Sequence, residues 1–493
     1  MRKEIKTLII LAFIFVFVNS KTKEEWKTRS VYQILTDRYA KTSSINLGNL
    51  RKENGKEANL LNEEILIENE EKEDNGRFND SDCWDLKKYC GGTFKGITQN
   101  LDYIKDMGFN AIWISPILEN TPDSYHGYHL TNLYKLNPNF GTEAEFNELV
   151  EAAHSKDIWI MLDVVGNHSG PVGQDFSRVF PFNKAEHYHS TCQINPEDFD
   201  SNQWRVENCR LADLPDFNHE NEWVANTLID WIRDIVQKYK IDGIRIDTIP
   251  EVPKWFWQKF SQSAGVYQVG EVFNGRMNYV SSYQECCLDG VLNYPLYYAM
   301  RDAFAYGKSL RGMESSLQAI NLSFKDPSVL GVFVNNHDNT RFLHENSNRN
   351  RFINAIVFSL LSNGIPIVYY GDEQYFNGGS DPLNRETLFN KKNKDSDLYI
   401  TIKQVNSARQ AYEVWNTPQI QRYADDNFYA YTRGDLLALF VNIDEFITRE
   451  ITFHEFAENS KLCNIFDAND CVYVRQGKIV VNVMSLPKVY ALN

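Results

Sequence analysis

The feature that most constrains the fold is an alternation of short β-rich runs with helical patterns along most of the chain. Helical periodicity is clear at residues 143–154 and 222–238, and such segments between strands are typical of repeated βα units with a parallel sheet. Eight runs are candidate strands, at residues 31–36, 111–115, 159–165, 243–247, 268–272, 290–293, 332–335 and 365–370. Eight strands that alternate with helices predict a (β/α)8 barrel, the TIM-barrel fold.

The intervals between these strands predict the other parts of the 493-residue chain. Residues 166–220, after the third candidate strand, show little helical periodicity and contain a cysteine pair, so we interpret them as a protruding subdomain. From about residue 420 the pattern changes to short alternating strands, which predicts a C-terminal antiparallel β-sandwich. The expected division is residues 21–165 and 221–419 for the barrel, 166–220 for the subdomain and 420–493 for the β domain.

Two segments near the N terminus fall outside this pattern. Residues 1–20 combine a basic start, an uncharged run from Leu8 to Val18 and a polar end, which predicts a secretory signal peptide. A membrane span is the less favoured interpretation, because the run is short for about 30 Å of hydrocarbon. Residues 41–82 predict a solvated insertion, since 51–82 alone hold eleven acidic and five basic residues. We therefore expect a protein that is secreted, or retained in the lumen of a secretory or digestive compartment, and free of the membrane after signal cleavage.

Charge and cysteine content narrow the partners and the compartment. The chain has 66 acidic and 51 basic residues, a net charge of −15, which disfavours binding to nucleic acid or anionic lipid. Eight cysteines in an exported chain favour disulfides. Short spacings indicate three pairs, Cys83–Cys90, Cys192–Cys209 and Cys463–Cys471. The adjacent Cys286 and Cys287 are expected to stay free or to pair differently, because a bridge between neighbours is strained. We expect a monomer.

Polar side chains concentrate where the candidate strands end. The ends of the third, fourth, fifth and seventh strands carry Asp163, Asn167, His168, Arg245, Asp247, Glu271, Asn336, His337 and Asp338. In a parallel barrel the carboxyl ends of the strands meet at one mouth, so we expect Asp247, Glu271 and Asp338 to lie close together. A single Asp at a strand end often only caps the next helix. Four such ends at one mouth favour a catalytic site.

Three convergent carboxylates beside arginine and histidine fit hydrolysis of a glycosidic bond. That reaction needs an ionised carboxylate at the anomeric carbon and a protonated carboxyl at the leaving oxygen, and neighbouring like charges raise the pKa of one group. Arg245, two residues before Asp247, is expected to keep that carboxylate ionised. Metal-assisted hydrolysis is the competing use of such a cluster, but the histidines lack HExxH or similar ligand spacing.

Nine short motifs follow one another along the chain. They are YQILTDRY (32–39), KYCGGT (88–93), YHGY (125–128), DVVGNH (163–168), LPD (214–216), GIRIDT (243–248), GEV (270–272), FVNNHD (333–338) and GSDPLNR (379–385). This ordered set resembles the α-amylases of glycoside hydrolase family thirteen, most closely the secreted fungal type. The resemblance runs from about Trp26 to the C terminus, interrupted mainly by residues 41–82. It implies an endo-acting, retaining hydrolase of α-1,4-glucosidic bonds in starch- or glycogen-type polysaccharides.

The resemblance also implies roles for individual residues. Asp247 is expected to be the nucleophile, Glu271 the general acid and then base, and Asp338 the carboxylate that stabilises the transition state. Substrate-binding positions are expected at His126, Tyr128, His129, His168, Arg245, Gly275, His337, Asp381 and Arg385. The family further implies a structural Ca2+, whose expected oxygen ligands come from Asn167, Glu207, Asp216 and the main-chain carbonyl of Glu251. Cys192–Cys209, which matches a family disulfide, would fix the Glu207 ligand.

Several positions depart from the fungal pattern. Pro250 and Glu251 stand where the fungal enzymes have a Lys-His pair, which removes a cation and an imidazole from the acceptor subsites. His129 replaces an aromatic residue and Asn335 replaces an acid. Residues 370–373, Tyr-Gly-Asp-Glu, stand where chloride-dependent members use a basic residue, so no chloride activation is expected. The changes at 250–251 leave transfer versus hydrolysis open.

The favoured hypothesis is an exported α-amylase, and the close alternative is a family relative with maltogenic or transglycosylase activity. A membrane-anchored, non-catalytic relative or a pure carbohydrate-binding protein is disfavoured, because neither needs three convergent acids. Asn79 and Asn321 lie in glycosylation sequons, whose use the sequence leaves open. Asn167 lies in another, but we expect it to be unmodified because a glycan there would block the predicted site.

Overall fold

The computed structural model describes residues 21–43 and 82–493. The predicted signal peptide, nearly all of the 41–82 insertion and Asn79 lie outside the described residues. On either side of the second gap, Lys41 Nζ lies 3.4 Å from the main-chain oxygen of Asp82. The two described ends that flank the insertion are therefore close together.

Ten strands precede residue 400 in the described part of the chain. They are β1 (Val31–Ile34), β2 (Ala111–Ile114), β3 (Leu118–Asn120), β4 (Leu130–Leu136), β5 (Trp159–Val164), β6 (Gly243–Ile246), β7 (Tyr267–Gly270), β8 (Gly290–Val291), β9 (Gly331–Phe333) and β10 (Ile365–Tyr369). Eight of them form a parallel sheet in the order β8-β7-β6-β5-β2-β1-β10-β9, and a parallel bridge between Leu292 and Gly331 joins its edges. This confirms the predicted barrel. β3 and β4 form a separate antiparallel pair that the pattern did not predict.

Helices alternate with the barrel strands. Their bounds are Lys23–Trp26, Thr36–Tyr39, Phe94–Gln99, Leu101–Asp106, Glu143–Ser155, Asp198–Ser201, Gln203–Asn208, Glu222–Tyr239, Lys254–Ala264, Met277–Cys286, Tyr294–Met300, Leu310–Ser323, Phe342–Glu345, Arg349–Leu361 and Asp397–Ala411. The helix Glu143–Ser155 begins with a capping box, in which the Thr142 hydroxyl accepts from Glu145 N and the Glu145 carboxylate accepts from Thr142 N. None of the helices in residues 21–43 and 82–493 has the length and apolar character that crossing a bilayer requires.

The predicted barrel strands extend one or two residues too far at their carboxyl ends. β6 ends at Ile246 and β7 at Gly270, so that Asp247 and Glu271 follow their strands. Both residues are still fixed by the neighbouring strand, because Asp247 N donates to Val164 O (3.0 Å) and Glu271 N donates to Ile246 O (2.8 Å). The strands thus stop where their carboxylate-bearing residues enter the mouth of the barrel.

The opposite, amino-terminal end of the barrel is filled by aromatic side chains. Trp26 is fully buried, stacks on Tyr267 with ring centroids 5.2 Å apart and meets Trp159 edge-on at 5.4 Å. Its Nε1 donates to Asp242 O (3.0 Å), just before β6. Apolar packing therefore closes this end, and the polar groups gather at the other.

Four disulfides connect the eight cysteines. Cys83–Cys90, Cys192–Cys209 and Cys463–Cys471 are bonded as expected. The expectation for Cys286 and Cys287 was wrong, because these neighbours are bonded to each other at the end of the helix Met277–Cys286. Each of these cysteines is bonded to its nearest possible partner, the pairing that had been excluded because a bridge between neighbours is strained.

The C-terminal part is an antiparallel sheet of eight strands. They are β11 (Gln419–Ala424), β12 (Phe428–Arg433), β13 (Leu436–Val441), β14 (Phe446–Ile451), β15 (Lys461–Asn464), β16 (Asp467–Arg475), β17 (Lys478–Met484) and β18 (Lys488–Leu492), in the order β11-β12-β13-β18-β15-β16-β17-β14. Buried side chains of β12 and β13, such as Phe428 and Leu439, share one core with Ile451 of β14 and Val481 of β17. The two halves of the sheet therefore face each other, as the predicted sandwich requires.

Candidate active site

A cavity of about 810 Å3 opens at the carboxyl ends of the barrel strands. Most predicted site residues line it, namely His126, Tyr128, His129, His168, Asp247, Glu251, Glu271, His337, Asp338, Asp381 and Arg385. They come from the ends of different strands and from the loops that follow them. The convergence expected from the barrel topology is therefore present in the structure.

Arg245 lies fully buried beneath this cavity and contacts its acidic residues. Nη1 is 2.7 Å from Asp247 Oδ1 and 3.0 Å from Asp163 Oδ1. Nη2 is 2.8 Å from Glu271 Oε2 and 4.0 Å from Asp338 Oδ2. Because a guanidinium is a rigid planar fork, one side chain fixes the positions of Asp247 and Glu271 relative to each other.

Asp163 completes this buried layer, although the sequence marked it only as the polar end of a strand. Its Oδ2 accepts hydrogen bonds from Trp113 Nε1 (2.9 Å) and from the Tyr128 hydroxyl (2.7 Å). Asp163 therefore anchors both Arg245 and the ring of Tyr128. Its place at the end of β5, in the same layer as Arg245, was the signal that could have identified it.

The environment of Glu271 favours a protonated carboxyl. Burial raises its pKa well above the ordinary value; Arg245 opposes this shift, while the charges of Asp247 and Asp338 add to it. Thr248 N donates to Glu271 Oε2 at 3.3 Å, which opposes the rise but is the smallest of these effects. A carboxyl with a raised pKa can carry a proton at neutral pH, which is what a general acid requires.

The histidines around the cavity are neutral hydrogen-bonding groups. Burial lowers the pKa of His126 and His337 well below the usual value, lowers that of His168 and brings that of His129 to about 4. His337 stacks on Tyr128 with ring centroids 5.2 Å apart, and its Nε2 is 2.6 Å from the Tyr128 hydroxyl. Neutral imidazoles of this kind can exchange hydrogen bonds with sugar hydroxyls.

Arg385 connects the remaining predicted residues on one side of the cavity. Its Nη1 is 3.1 Å from Asp381 Oδ1 and its Nη2 is 3.6 Å from Asp338 Oδ1. Its Nε donates to the main-chain oxygen of His337 at 3.1 Å. These contacts hold Asp338 between Arg385 and Arg245.

The cavity is also lined by residues that the sequence did not single out. Phe273, Asn274 and Tyr279 come from the segment after β7, and Phe199 and Leu211 come from the segment between β5 and β6. They could not be predicted, because they come together only when two segments far apart in the chain approach each other, and no local pattern indicates that approach.

Five of the predicted residues are not among those that line the cavity, namely the buried Arg245, the predicted cation ligands Asn167, Asp216 and Glu207, and Gly275. Gly275 is exposed and directly follows Asn274, which lines the cavity, and a Cβ added to it would be 3.0 Å from the ring of Tyr298. Glu207 lies on the helix Gln203–Asn208, where Gln203 Nε2 donates both to its carboxylate (2.9 Å) and to Pro250 O (2.9 Å).

Three oxygen atoms converge beside the cavity at the predicted cation position. The side-chain oxygen of Asn167 lies 2.9 Å from Asp216 Oδ1 and 3.2 Å from the main-chain oxygen of Glu251. On its other side, the Asn167 amide nitrogen is 3.1 Å from His168 Nδ1. Rotating the amide would place its nitrogen among the oxygens, so the protonation of His168 decides between the two orientations.

His168 favours the orientation that leaves the three oxygens together. Its Nε2 is 3.2 Å from the main-chain oxygen of Tyr128, which can only accept, so that Nε2 carries the hydrogen. Burial lowers the pKa of His168, so the ring is neutral and Nδ1 is an acceptor for the Asn167 amide. Three oxygens without a hydrogen between them fit a hard cation.

The donor set of this position is unlike a cluster of acidic side chains. Within residues 21–43 and 82–493, no three or more His, Cys, Asp or Glu side chains form a group that could hold a metal. The trio instead combines an amide oxygen, one carboxylate and a main-chain carbonyl. The structure gives no contact of Glu207 with it.

Comparisons with known proteins agree with this geometry. Residues 33–432 match the family described as "Alpha amylase, catalytic domain". The chain is 37% identical to an α-amylase of Saccharomycopsis fibuligera, over 89% of this chain and 86% of that protein. It is 35% identical to α-amylase 1 of Schwanniomyces occidentalis, over 96% and 91%.

The fold is similar to that of a solved relative. An α-amylase from Malbranchea cinnamomea superposes with a TM-score of 0.84 at 34% identity, covering 96% of this chain and 97% of that one. Together with the matched residues 33–432, these likenesses confirm the predicted family and enzyme class. The chain belongs to the α-amylase family of glycoside hydrolases.

Proposed function

We propose that this α-amylase is a secreted, endo-acting enzyme that hydrolyses α-1,4-glucosidic bonds of starch- or glycogen-type polysaccharides with retention of configuration. The observation that carries the proposal is the single guanidinium of Arg245, which holds Asp247 at 2.7 Å and Glu271 at 2.8 Å. The two carboxyls required by a retaining glycosidase are thereby fixed side by side at the cavity.

The proposed reaction has two displacement steps. In the first, an Asp247 oxygen bonds to the anomeric carbon while the glycosidic C–O bond breaks and Glu271 gives its proton to the leaving oxygen. In the second, water attacks the anomeric carbon, its proton passes to Glu271 and the bond to Asp247 breaks. Asp338, held by Arg385, binds sugar hydroxyls and stabilises the positive charge that develops on the ring.

The substrate residues on either side of the cut are held by different groups. We assign sugar binding at the bond to His126, Tyr128, His168 and His337, and binding further toward the non-reducing end to Asp381 and Arg385. His129 and Gly275 belong to the proposed substrate set; His129 lines the cavity and Gly275 follows the cavity-lining Asn274. Glu251 lines the cavity beside Asp247 and Glu271, so it is positioned to affect water or a sugar as the acceptor.

Product analysis of starch digests tests this proposal. We expect soluble starch to yield a mixture of malto-oligosaccharides early in the reaction, since an endo-acting enzyme cuts within chains. The new reducing ends should be α-anomers, and NMR spectra recorded before mutarotation detect them. Initial β-anomers, or no cleavage by calcium-replete protein, would contradict the proposal. Products longer than a defined oligosaccharide substrate would instead indicate the transglycosylase alternative.

We also propose a structural Ca2+ held by Asn167, Asp216 and the main-chain oxygen of Glu251, with Glu207 as the fourth ligand taken from the family resemblance. When bound, the ion would supply a positive charge that neutralises converging oxygens. The three described donors lie after β5, before the helix Glu222–Tyr239 and after β6. An ion bound to all three donors would connect the subdomain, residues 166–220, to the barrel.

Chelation is expected to lower the thermal stability of the protein. At a calcium concentration 100-fold above Kd, the bound ion stabilises the fold by about 2.7 kcal/mol, which EDTA would remove. Differential scanning fluorimetry with and without EDTA measures this change. In Asp216→Asn the EDTA effect should shrink, whereas the exposed Asp213→Asn control in the same segment should keep it. An equal EDTA effect in Asp216→Asn would exclude Asp216 as a ligand.

The remaining parts of the proposal concern organisation and location. The four disulfides and the signal-like residues 1–20 support secretion, and we propose in addition that the protein is a monomer. We propose residues 21–165 and 221–419 as the catalytic barrel, 166–220 as the calcium-binding subdomain and 420–493 as the β-sandwich domain.

A further inference from the structure

A second groove, of about 710 Å3, lies where the barrel meets the C-terminal sheet. One wall is the helix Leu310–Ser323 and the other is β11. Pro327 and Asn363, which precede β9 and β10, line its inner side. The groove therefore opens toward the amino ends of the barrel strands, and none of its lining residues also lines the active cavity.

The walls of this groove present hydrogen-bond donors and acceptors in close proximity. Glu314, Gln318 and Asn321 come from the helix, and Gln421 comes from β11. Gln421 Nε2 donates to Glu314 Oε1 at 2.5 Å. Planar amide and carboxylate groups arranged in this way can bind neighbouring hydroxyls of one ligand.

Arg422 is a buried polar residue in the wall of the groove. Its side chain is only 2% exposed, its Nε donates to Thr432 Oγ1 (2.8 Å) and its Nη2 lies 3.4 Å from Glu455 Oε1. Within the part of the chain that the structure describes, Nη1 has no hydrogen-bond partner. Because a buried donor without a partner is costly, an oxygen atom supplied at this point would be stabilising.

Phe453 adds an aromatic surface next to this arginine. Its ring lines the groove and the residue is 64% exposed. The Arg422 guanidinium lies 5.0 Å from the ring centroid, a cation–π distance that holds the ring in place. An exposed ring held over polar groups offers a stacking face for the C–H side of a sugar.

The charges of the groove select against an anionic ligand. Arg422 is paired with Glu455, and Glu314, which lines the groove, lies 3.8 Å from Arg311. These charges are therefore paired with one another and leave no net positive charge to attract phosphate or carboxylate ligands. A neutral ligand with many hydroxyls and an apolar ring face fits both the polar lining and Phe453.

We propose that this groove is a second α-glucan-binding site, separate from the active cavity. The choice of α-glucan among neutral sugars rests on the proposed function, since a polymer cut in the cavity is also available to the groove. Two sites on one rigid chain raise the effective concentration of polymer at the enzyme. The site is thus expected to strengthen attachment to long glucans without taking part in bond cleavage.

The test is a titration with maltoheptaose of protein carrying Glu271→Gln, so that the sugar is bound but not cut. Isothermal titration should resolve two sites per chain. Adding Phe453→Ala should weaken the second site about ten-fold, the loss of one aromatic contact of about 1.4 kcal/mol. Gln318→Ala, a substitution of an exposed residue on the opposite wall, should also weaken maltoheptaose binding at the second site when made without Phe453→Ala. Phe446→Ala, an equally exposed phenylalanine on β14, serves as the control and should bind like its parent.

Each result decides the proposal. A single site in the parent protein, or two sites unchanged by Phe453→Ala and Gln318→Ala, would overturn it. Asn321 lies in a glycosylation sequon at the groove, so the titration is repeated with Asn321→Gln; a second site seen only in that variant would mean that the protein's own glycan occupies the groove. Wild-type protein that cuts starch but binds at one site would refute this inference alone, whereas absence of starch cleavage would refute the proposed function.

Discussion

Replacing Glu271 by Gln is expected to lower kcat for starch hydrolysis by about 10²- to 10⁴-fold, because the amide cannot give a proton to the leaving oxygen. The substitution keeps the size of the side chain and its place after β7, so KM should change little. Initial rates of reducing-sugar release on soluble starch measure the effect. Asp247→Asn should be at least as damaging, since it removes the proposed nucleophile.

The pH profile separates a loss of proton transfer from a loss of folding. Burial raises the pKa of Glu271, and the first step needs its protonated form. Wild-type activity should therefore fall as the pH rises through this raised pKa, at a higher pH than an ordinary glutamate would allow. Residual activity of Glu271→Gln should lack that alkaline decline.

A matched control distinguishes the site from a general effect of neutralising a carboxylate. Glu148 is exposed on the helix Glu143–Ser155, and Glu148→Gln should retain wild-type rates. Undiminished starch cleavage by Glu271→Gln, with the same pH profile as wild type, would remove Glu271 from the proposed mechanism.

Replacing Arg245 by Met is expected to destabilise the fold by about 3–5 kcal/mol, the usual result of removing one partner from a buried ion pair. The substitution leaves Asp163, Asp247 and Glu271 close together without their shared cation. It should also abolish starch hydrolysis, because the two catalytic carboxyls lose the group that positions them. Urea-induced unfolding measures the change in the free energy of unfolding.

The pH dependence of this destabilisation has a defined sign. In the wild type, burial already raises the pKa of Asp163 to about 7 and that of Glu271 well above its ordinary value, and Arg245 opposes both shifts, so without Arg245 the folded-state pKa values of these two carboxyls should rise further. Groups with raised pKa values favour the folded state at low pH and lose that contribution as the pH rises. Arg245→Met should therefore be less destabilised at pH 5 than at pH 8.

The control is an arginine that also contacts two carboxylates but lies at the surface. Arg233 is 2.8 Å from Asp230 and 3.0 Å from Asp234, with its side chain 43% exposed. Arg233→Met should cost less than about 1 kcal/mol. Equal losses in the two variants would show that burial of the Arg245 cluster has no special role in stability.

The convergence of the catalytic carboxylates was predictable because it depends on the regular alternation of strands and helices. Alternating βα units fix which end of each strand faces the mouth, so the acids after β6 and β7 had to approach each other. The exact strand ends were not predictable, since hydrophobic patterning continues past the last ladder pair. Asp163 was visible as a strand end, but its role depends on the pairing of β5 with β6 and on a buried arginine reaching across.

Features made by distant segments were beyond sequence reasoning. Phe199 and Tyr279 line the same cavity, and a groove lies between the helix Leu310–Ser323 and β11. Both arrangements require packing between parts far apart in the chain. The prediction for Cys286 and Cys287 was wrong for a different reason. The strain expected in a bridge between neighbours was given more weight than their proximity. The family resemblance was sufficient to predict the three oxygen donors at Asn167, Asp216 and Glu251. The orientation of the Asn167 amide, however, follows only from its contact with neutral His168 in the structure.

The aromatic packing around Trp26, which closes the amino-terminal end of the barrel, affects how the enzyme can be attached to a solid support. The described chain begins at Lys21, whose Nζ lies 4.8 Å from the ring of Trp159, at the start of β5. A linker joined at this point would leave from the face opposite the catalytic mouth. Enzyme immobilised through it would present its cleft outward, toward dissolved polymer, while immobilisation through Asp381 at the rim would turn the cleft against the surface.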